Sequence, residues 1–153
     1  MDKLTSFLLE WMETYIKNRD VMLRNLKTID KKANELNVKY KDKEQTFIVE
    51  TFLDDFKHII ERLKEFPNSN ISLVVFNSVD NLKKIVEKWD LIKEFKFFSV
   101  YFVNPFSSMD KKWIIYPHTH HRISDEDSFE LGLSTMFEGV EPVTKEGMER
   151  KIK

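Results

Sequence analysis

The chain has 153 residues, of which 41% are hydrophobic and 33% charged, and its formal net charge at pH 7 is −1. This balance is typical of one folded domain, and it argues against a disordered chain and against a broadly basic nucleic-acid-binding protein. Cysteine is absent, which excludes disulfides and thiolate zinc sites, and with neither a membrane-length apolar run nor a signal-peptide layout we expect a cytoplasmic protein with no membrane contact.

Residues 2–37 carry apolar side chains at seven-residue spacing: Leu8, Tyr15, Met22, Ile29 and Leu36. This spacing predicts a long amphipathic helix. A break near Arg19 is an alternative, because Asn18 and Asp20 are residue types that favour helix caps. The apolar stripe packs either against a second helix of the same chain or against another copy in a coiled coil.

Residues 45–50 form a short apolar run that suits a strand and the start of a helix equally. Thr51 with Asp54 is a capping-box-like pair, and the apolar stripe that follows predicts a second helix before Pro67. We therefore expect a mostly helical N-terminal region over residues 1–66, within a single compact domain that covers residues 1–153.

Residues 70–145 contain short, nearly continuous apolar runs, which are typical of buried strands in a sheet region. A short apolar strand over residues 71–76 is followed by a helix that Ser78 caps, and then by a β-hairpin with strands at 96–103 and 113–120. The large apolar residues in this region predict one core between the sheet and its helices, with the members Trp89, Phe98, Phe102 and Ile115.

A last helix is expected to open at Ser124 with Asp127 and to end at Gly139. Residues 140–144 then suit an edge strand, and residues 146–153 a flexible tail. The predicted class is α+β, with long N-terminal helices followed by a βαββα(β) ferredoxin-like sheet or a related mixed sheet. An open mixed sheet with another strand order is the alternative.

Three of the four histidines lie at the end of the second hairpin strand or directly after it. In an extended strand His118 and His120 point to one side, so the pair suits one divalent metal ion such as zinc. Asp125 is the expected third ligand, with Glu126 and Asp127 as alternatives. This hypothesis makes the chain a metal-dependent hydrolase-type enzyme. The competing interpretation is that the histidines are structural or lie on the surface.

The aromatic residues of the first hairpin strand give a further hypothesis. The element order and the aromatic residues of this strand resemble those of the RNA recognition module, whose exposed aromatic rings stack on bases. The aromatic residues are Phe97, Phe98, Tyr101 and Phe102. That module has a glycine after the first basic residue of the strand, whereas Lys96 is followed by phenylalanine. Core packing explains the rings better, and nucleic-acid binding is not expected.

Charge is distributed unevenly along the chain. Residues 17–43 hold nine Lys or Arg against four acids, whereas residues 125–141 hold six acids and no base. Complementary segments of this kind suit a homodimer or a protein partner. We therefore expect a protein that acts by binding or self-association rather than by catalysis, and that needs no cofactor.

Overall fold

The structure is a computed structural model that describes residues 1–125 and 128–152. Its six strands are β1 (Leu26–Lys32), β2 (Glu35–Tyr40), β3 (Glu44–Val49), β4 (Asn70–Phe76), β5 (Phe98–Val103) and β6 (Lys112–Ile115). Its helices are α1 (Lys3–Leu23), α2 (Lys57–Glu65), α3 (Val79–Glu87), α4 (Trp89–Ile92), α5 (Pro117–Ile123), α6 (Phe129–Glu138) and α7 (Lys145–Lys151). No helix of these two described ranges is long and apolar enough to cross a membrane.

The strands form one open mixed sheet in the order β1-β2-β3-β4-β5-β6. β1, β2 and β3 are antiparallel, β3, β4 and β5 are parallel, and β6 returns antiparallel to β5. The predicted α+β class and the mixed sheet are confirmed. The ferredoxin-like order is not confirmed, because β4 and β5 are hydrogen-bonded neighbours, whereas the split β-α-β motif places another strand between them.

The long helix predicted over residues 2–37 ends at Leu23, so the prediction is wrong beyond that point. Arg24 adopts a left-handed conformation with φ 53°, and its backbone N–H donates to Asp20 O. The carboxylate of Asp20 then accepts hydrogen bonds from Asn25 N at 2.8 Å and Leu26 N at 2.9 Å. One aspartate therefore ends the helix and positions the first residues of the strand that follows.

A β-hairpin occupies the rest of the predicted helix. Ala33 turns the chain between β1 and β2 with φ 53°, and the next residue, Asn34, donates its side-chain amide to Val49 O at 2.9 Å. In β2 the inward side chains Leu36 and Val38 are 0% and 1% exposed, which is the alternation of a half-buried strand. Residues 45–50 belong largely to β3, so residues 26–49 form strands where a helical region was expected.

The sheet separates two apolar cores. On one face α1 and α7 cover a core whose buried members are Leu4, Leu8, Leu9, Met12, Ile16, Leu36, Val38, Phe47, Val49, Val74, Phe76, Tyr101, Val103, Met148 and Ile152. On the other face the remaining helices cover a second core that contains Trp89, Phe98, Phe102 and Ile115. The predicted membership of those four residues in one core is confirmed.

Ser78 and Gly139 cap helices as predicted, whereas Thr51 and Ser124 do not cap the helices expected of them. Asn81 N donates to Ser78 Oγ at 3.1 Å at the start of α3, and Gly139 is the C-cap residue of α6. Thr51 caps no helix, because residues 50–56 are irregular and α2 begins at Lys57. Ser124 does not open the last predicted helix, because it ends α5, and α6 begins at Phe129 after the N-cap residue Ser128. Asp127, the expected partner of Ser124, lies outside the described residues.

The end of the chain differs from the prediction in two respects. Residues 140–144 form no strand. α7 follows them where a flexible tail was expected, and its Met148 is 1% exposed in the α1 core. The tail therefore packs as far as Ile152, while Lys153 lies outside the described residues.

Candidate functional site

The histidine segment is helical. β6 ends at Ile115, and Pro117 occupies the first turn of α5, a position that proline favours. The predicted strand over residues 113–120 is therefore wrong in its second half. Residues two apart on a helix are about 200° apart around its axis, so His118 and His120 do not share a side as they do on a strand.

Each histidine contacts a neighbouring part of the same chain. His118 Nδ1 lies 2.9 Å from Lys93 O, and His120 Nε2 lies 3.3 Å from Ser124 Oγ. Trp89 Nε1 donates to His121 Nδ1 at 3.3 Å, and the Trp89 ring meets the His120 ring edge-on. Burial, with a smaller contribution from His121, lowers the pKa of His120. These contacts connect α5 to α4.

The predicted metal site was based on a strand that places His118 and His120 on one side, whereas these residues lie on the helix α5. Asp125, its expected third ligand, accepts a hydrogen bond from Ser128 N at 2.8 Å. Within residues 1–125 and 128–152, no group of three or more His, Asp or Glu is placed to hold a metal ion. Glu126 and Asp127 lie outside those ranges. A metal site at His118, His120 and Asp125 stays a prediction.

The aromatic strand is buried rather than displayed. Phe98, Tyr101 and Phe102 are 1%, 4% and 0% exposed, and only Phe97 has a substantial exposed fraction among the four rings. Base stacking needs accessible ring faces. The structure therefore supports the core interpretation of these rings.

Buried asparagines close the carboxyl end of the parallel strands. Asn77 follows β4, accepts a hydrogen bond from Trp113 Nε1 at 2.7 Å and donates to Val140 O at 3.0 Å. Asn104 follows β5 and donates to Glu141 O at 3.0 Å. Ligands commonly bind at this end of an open α/β sheet. Here the asparagine amides instead hold the loops together.

Two groups among the exposed apolar side chains of the described residues are considered as interaction surfaces. The first, which we call the helix-tip surface, consists of Val21, Met22 and Leu23 at the end of α1, with exposed fractions of 65%, 89% and 66%. The second, the α5–α6 surface, contains Ile123 and Leu131, which are 78% and 70% exposed. The heptad pattern had predicted a packed position for Met22, whereas the packing of α1 ends earlier, near Ile16.

A cavity of about 170 Å³ lies between the end of α1 and the start of β3. We call it the tyrosine cavity because three tyrosines line it; the full lining is Tyr15, Ile16, Arg19, Asp20, Leu23, Asn25, Tyr40, Asp42, Lys43, Gln45, Phe47 and Tyr101. The cavity was not predicted from the sequence. Its residues come from α1, β2, β3 and β5, and no spacing pattern in the sequence connects them.

The chain matches no family model, and it has no significant match among curated proteins or solved structures.

Proposed function

We propose that the protein acts by binding, and that its first partner is another copy of itself, which contacts the helix-tip surface. The observation that carries this proposal is the run Val21, Met22 and Leu23, of which each side chain is at least 65% exposed. Successive helical residues point about 100° apart, so the tip of α1 is apolar on several sides. Single exposed apolar residues are ordinary, whereas contiguous ones mark interaction sites.

Charge around the tip favours an acidic partner surface. Arg24 follows the tip, Lys27 lies at the start of β1, and Lys41 N donates to Asn25 O beside them. All three cationic side chains are exposed, and none takes part in an ion pair with another described residue. A partner with acids around an apolar centre would complement this surface.

The α6 part of the α5–α6 surface has that composition, whereas α5 carries the exposed Arg122 next to Ile123. Leu131 and Ile123 are its exposed apolar residues, and Glu130 and Glu138 are exposed acids that form no ion pair with any residue of the described ranges. The two helices are adjacent, because a Cβ at Gly132 would lie 3.8 Å from His120 Cε1. A second copy of the chain would therefore cover the apolar helix tip with Leu131 and Ile123 and place acidic groups beside its cations.

The placement of the two surfaces favours head-to-tail association. α1 packs on one face of the sheet, whereas α6 packs on the other through Leu133. Each copy would use its helix tip on one neighbour and its α5–α6 surface on another. Contacts of this kind produce rings or open chains.

Sedimentation velocity over a concentration series tests the proposal. We expect a mass above the 18.4 kDa of one chain at tens of micromolar, and a lower mass for Met22→Asp. Met109→Asp is the matched control, because Met109 is also exposed, at 52%, and lies outside both surfaces. A mass of 18.4 kDa at every concentration would contradict self-association.

A charge-swap experiment tests the pairing itself. One variant carries Lys27→Glu with Lys41→Glu and has an acidic tip, and the other carries Glu130→Lys with Glu138→Lys and has a basic α5–α6 surface. Each variant alone opposes like charges and should be monomeric, whereas an equimolar mixture restores opposite charges and should associate. Monomers in the mixture would show that the two surfaces do not meet.

A further inference from the structure

The tyrosine cavity is lined by a hydroxyl group that pairs with no described residue. Tyr101 is 4% exposed and lines the cavity. Its hydroxyl takes part in none of the hydrogen bonds among residues 1–125 and 128–152. Within those ranges, no side-chain nitrogen or oxygen is both sealed from solvent and unpaired. The hydroxyl of Tyr101 therefore opens into the cavity, where it can hydrogen-bond to whatever fills the space.

Several hydrogen-bond donors around the cavity have no acceptor among the described residues. Arg19 lies over the Tyr15 ring at 5.8 Å, and its Nη1 makes one long hydrogen bond to Tyr15 Oη, at 3.5 Å. The other guanidinium N–H groups form no hydrogen bond within the described chain. Burial raises the pKa of Tyr40 and that of Tyr101, so both phenols stay protonated at neutral pH and can donate.

The acids of the lining do not neutralise this donor set from within. Asp20 already accepts backbone hydrogen bonds on both carboxylate oxygens, from Asn25 and Leu26. Asp42 is exposed, in the connection between β2 and β3. Lys43 lies next to it and places its ammonium 5.4 Å from the Tyr40 ring centroid. Arg19 therefore keeps guanidinium N–H groups that donate to no described residue, and its only side-chain hydrogen bond among those residues is the long one to Tyr15 Oη.

The walls of the cavity also limit the ligand. Ile16, Leu23 and Phe47 are apolar, and the tyrosine rings add further apolar surface. The volume of about 170 Å³ is close to that of an engineered cavity that binds benzene, about 150 Å³. A free inorganic anion would leave the apolar walls in contact with water, whereas a ring or a short branched chain would cover them.

We propose that the tyrosine cavity binds a small organic carboxylate whose apolar body is no larger than a benzene ring. The carboxylate would accept from the Arg19 guanidinium and the Tyr101 hydroxyl, and the body would lie against Ile16 and Phe47. Arginine suits this role because its planar fork matches the two carboxylate oxygens.

An NMR titration of the full chain with benzoate, benzamide and inorganic phosphate tests the proposal. Benzamide keeps the ring without the charge, and phosphate keeps the charge without the ring. We expect benzoate to bind with a Kd on the order of 1 mM, as its size allows, and to shift the backbone amides of Asn25 and Gln45. Benzamide and phosphate should each bind at least about tenfold more weakly.

Substitutions locate the contacts. Tyr101→Phe should weaken benzoate binding by roughly fivefold, and Arg19→Gln by roughly thirtyfold, as expected for the loss of a neutral and a charged hydrogen bond. Tyr116→Phe is the matched control, because Tyr116 is 52% exposed and lies outside the cavity lining. It should leave the Kd unchanged.

Three outcomes would overturn the proposal. The first is that the backbone amide resonances do not shift when benzoate is added to 20 times the expected Kd. The second is benzamide or phosphate binding as well as benzoate, since either result would remove the need for a carboxylate on an apolar body. The third is benzoate binding that Arg19→Gln and Tyr101→Phe leave intact, which would place the ligand elsewhere.

Discussion

Tyr101 and Phe102 are neighbours on β5, and they show how differently the two faces of the sheet are built. Phe102 is fully buried, with its ring stacked on Trp113 at a centroid distance of 4.3 Å. Tyr101, on the opposite face, is almost as buried, yet its hydroxyl borders a cavity. Both residues exclude bulk water, but only Phe102 has all of its surface matched by neighbouring side chains. Burial alone therefore does not distinguish a packing residue from one that is available to a ligand.

The polar groups differ in the same way. Asn77, also fully buried, uses both ends of its side-chain amide in hydrogen bonds within the chain. A buried polar group with all its partners inside the protein supports the fold, whereas a hydroxyl that borders a cavity without a protein partner can hydrogen-bond to a ligand. Substitutions on the two faces should separate these roles.

The largest effect is expected for Phe102→Ala. Removing a fully buried phenylalanine leaves a cavity, and such changes lower the free energy of unfolding by about 3–5 kcal/mol. Chemical denaturation measures this loss. Phe97→Ala is the control of the same residue type, because Phe97 is 48% exposed and should cost much less. Equal losses for both variants would show that the aromatic core does not hold the sheet together.

Asn77→Ala should come next, with a loss of about 2 kcal/mol or more. The substitution leaves Trp113 Nε1 and Val140 O without their partner in a buried site, and an unsatisfied buried group costs about 1–3 kcal/mol. Denaturation midpoints compared with those of Asn70→Ala give the measurement. Asn70 makes an exposed hydrogen bond to Glu44 O, so its loss should be within about 0.5 kcal/mol. If Asn77→Ala did not change the free energy of unfolding, the hydrogen bonds of the Asn77 amide would not stabilise the fold.

The smallest effect at neutral pH is expected for Tyr101→Phe, within about 0.5 kcal/mol, because no partner in the described chain is orphaned. At alkaline pH the two proteins should diverge. Burial raises the pKa of Tyr101 in the folded state above the value of about 10 of an unfolded tyrosine. The unfolded state therefore loses its proton first, and wild-type stability falls as the pH rises above 10.

Unfolding measured between pH 9 and pH 12 tests this linkage. Tyr101→Phe removes the titrating hydroxyl, so the unfolding free energy of the variant should fall less steeply with pH than that of the wild type. The difference between the two slopes should correspond to at most about one bound proton. Identical slopes for the two proteins would mean that Tyr101 is not held in its neutral form by the fold.

The sequence predicted the second half of the fold better than the first. The continuous apolar runs of β4 and β5 and the Ser78 cap are local features, and each corresponds to an observed element. The β1–β2 hairpin was missed for a physical reason. The apolar residues of this hairpin also fit a seven-residue spacing. Ala33 occupies a left-handed turn position, for which glycine, asparagine or aspartate is the usual residue.

The candidate sites were less predictable than the fold. Pro117 is a helix-start signal, because proline is favoured in the first turn of a helix. It therefore favours a helix over a strand for the histidines that follow it. The tyrosine cavity had no comparable signal, because Arg19 and Tyr101 meet only after α1 has packed across the sheet. The exposure of Met22 likewise depends on where α1 ends, which Asp20 decides through its contacts with β1.

Leu23 belongs both to the helix-tip surface and to the lining of the tyrosine cavity. A carboxylate that orders this side chain and a second copy that covers it would therefore act on one group. Two binding events that share a group are thermodynamically coupled, and the coupling is reciprocal. Whatever factor the ligand imposes on the association constant, association must impose on the affinity for the ligand, so the assembly state of the protein would report the concentration of a small acid.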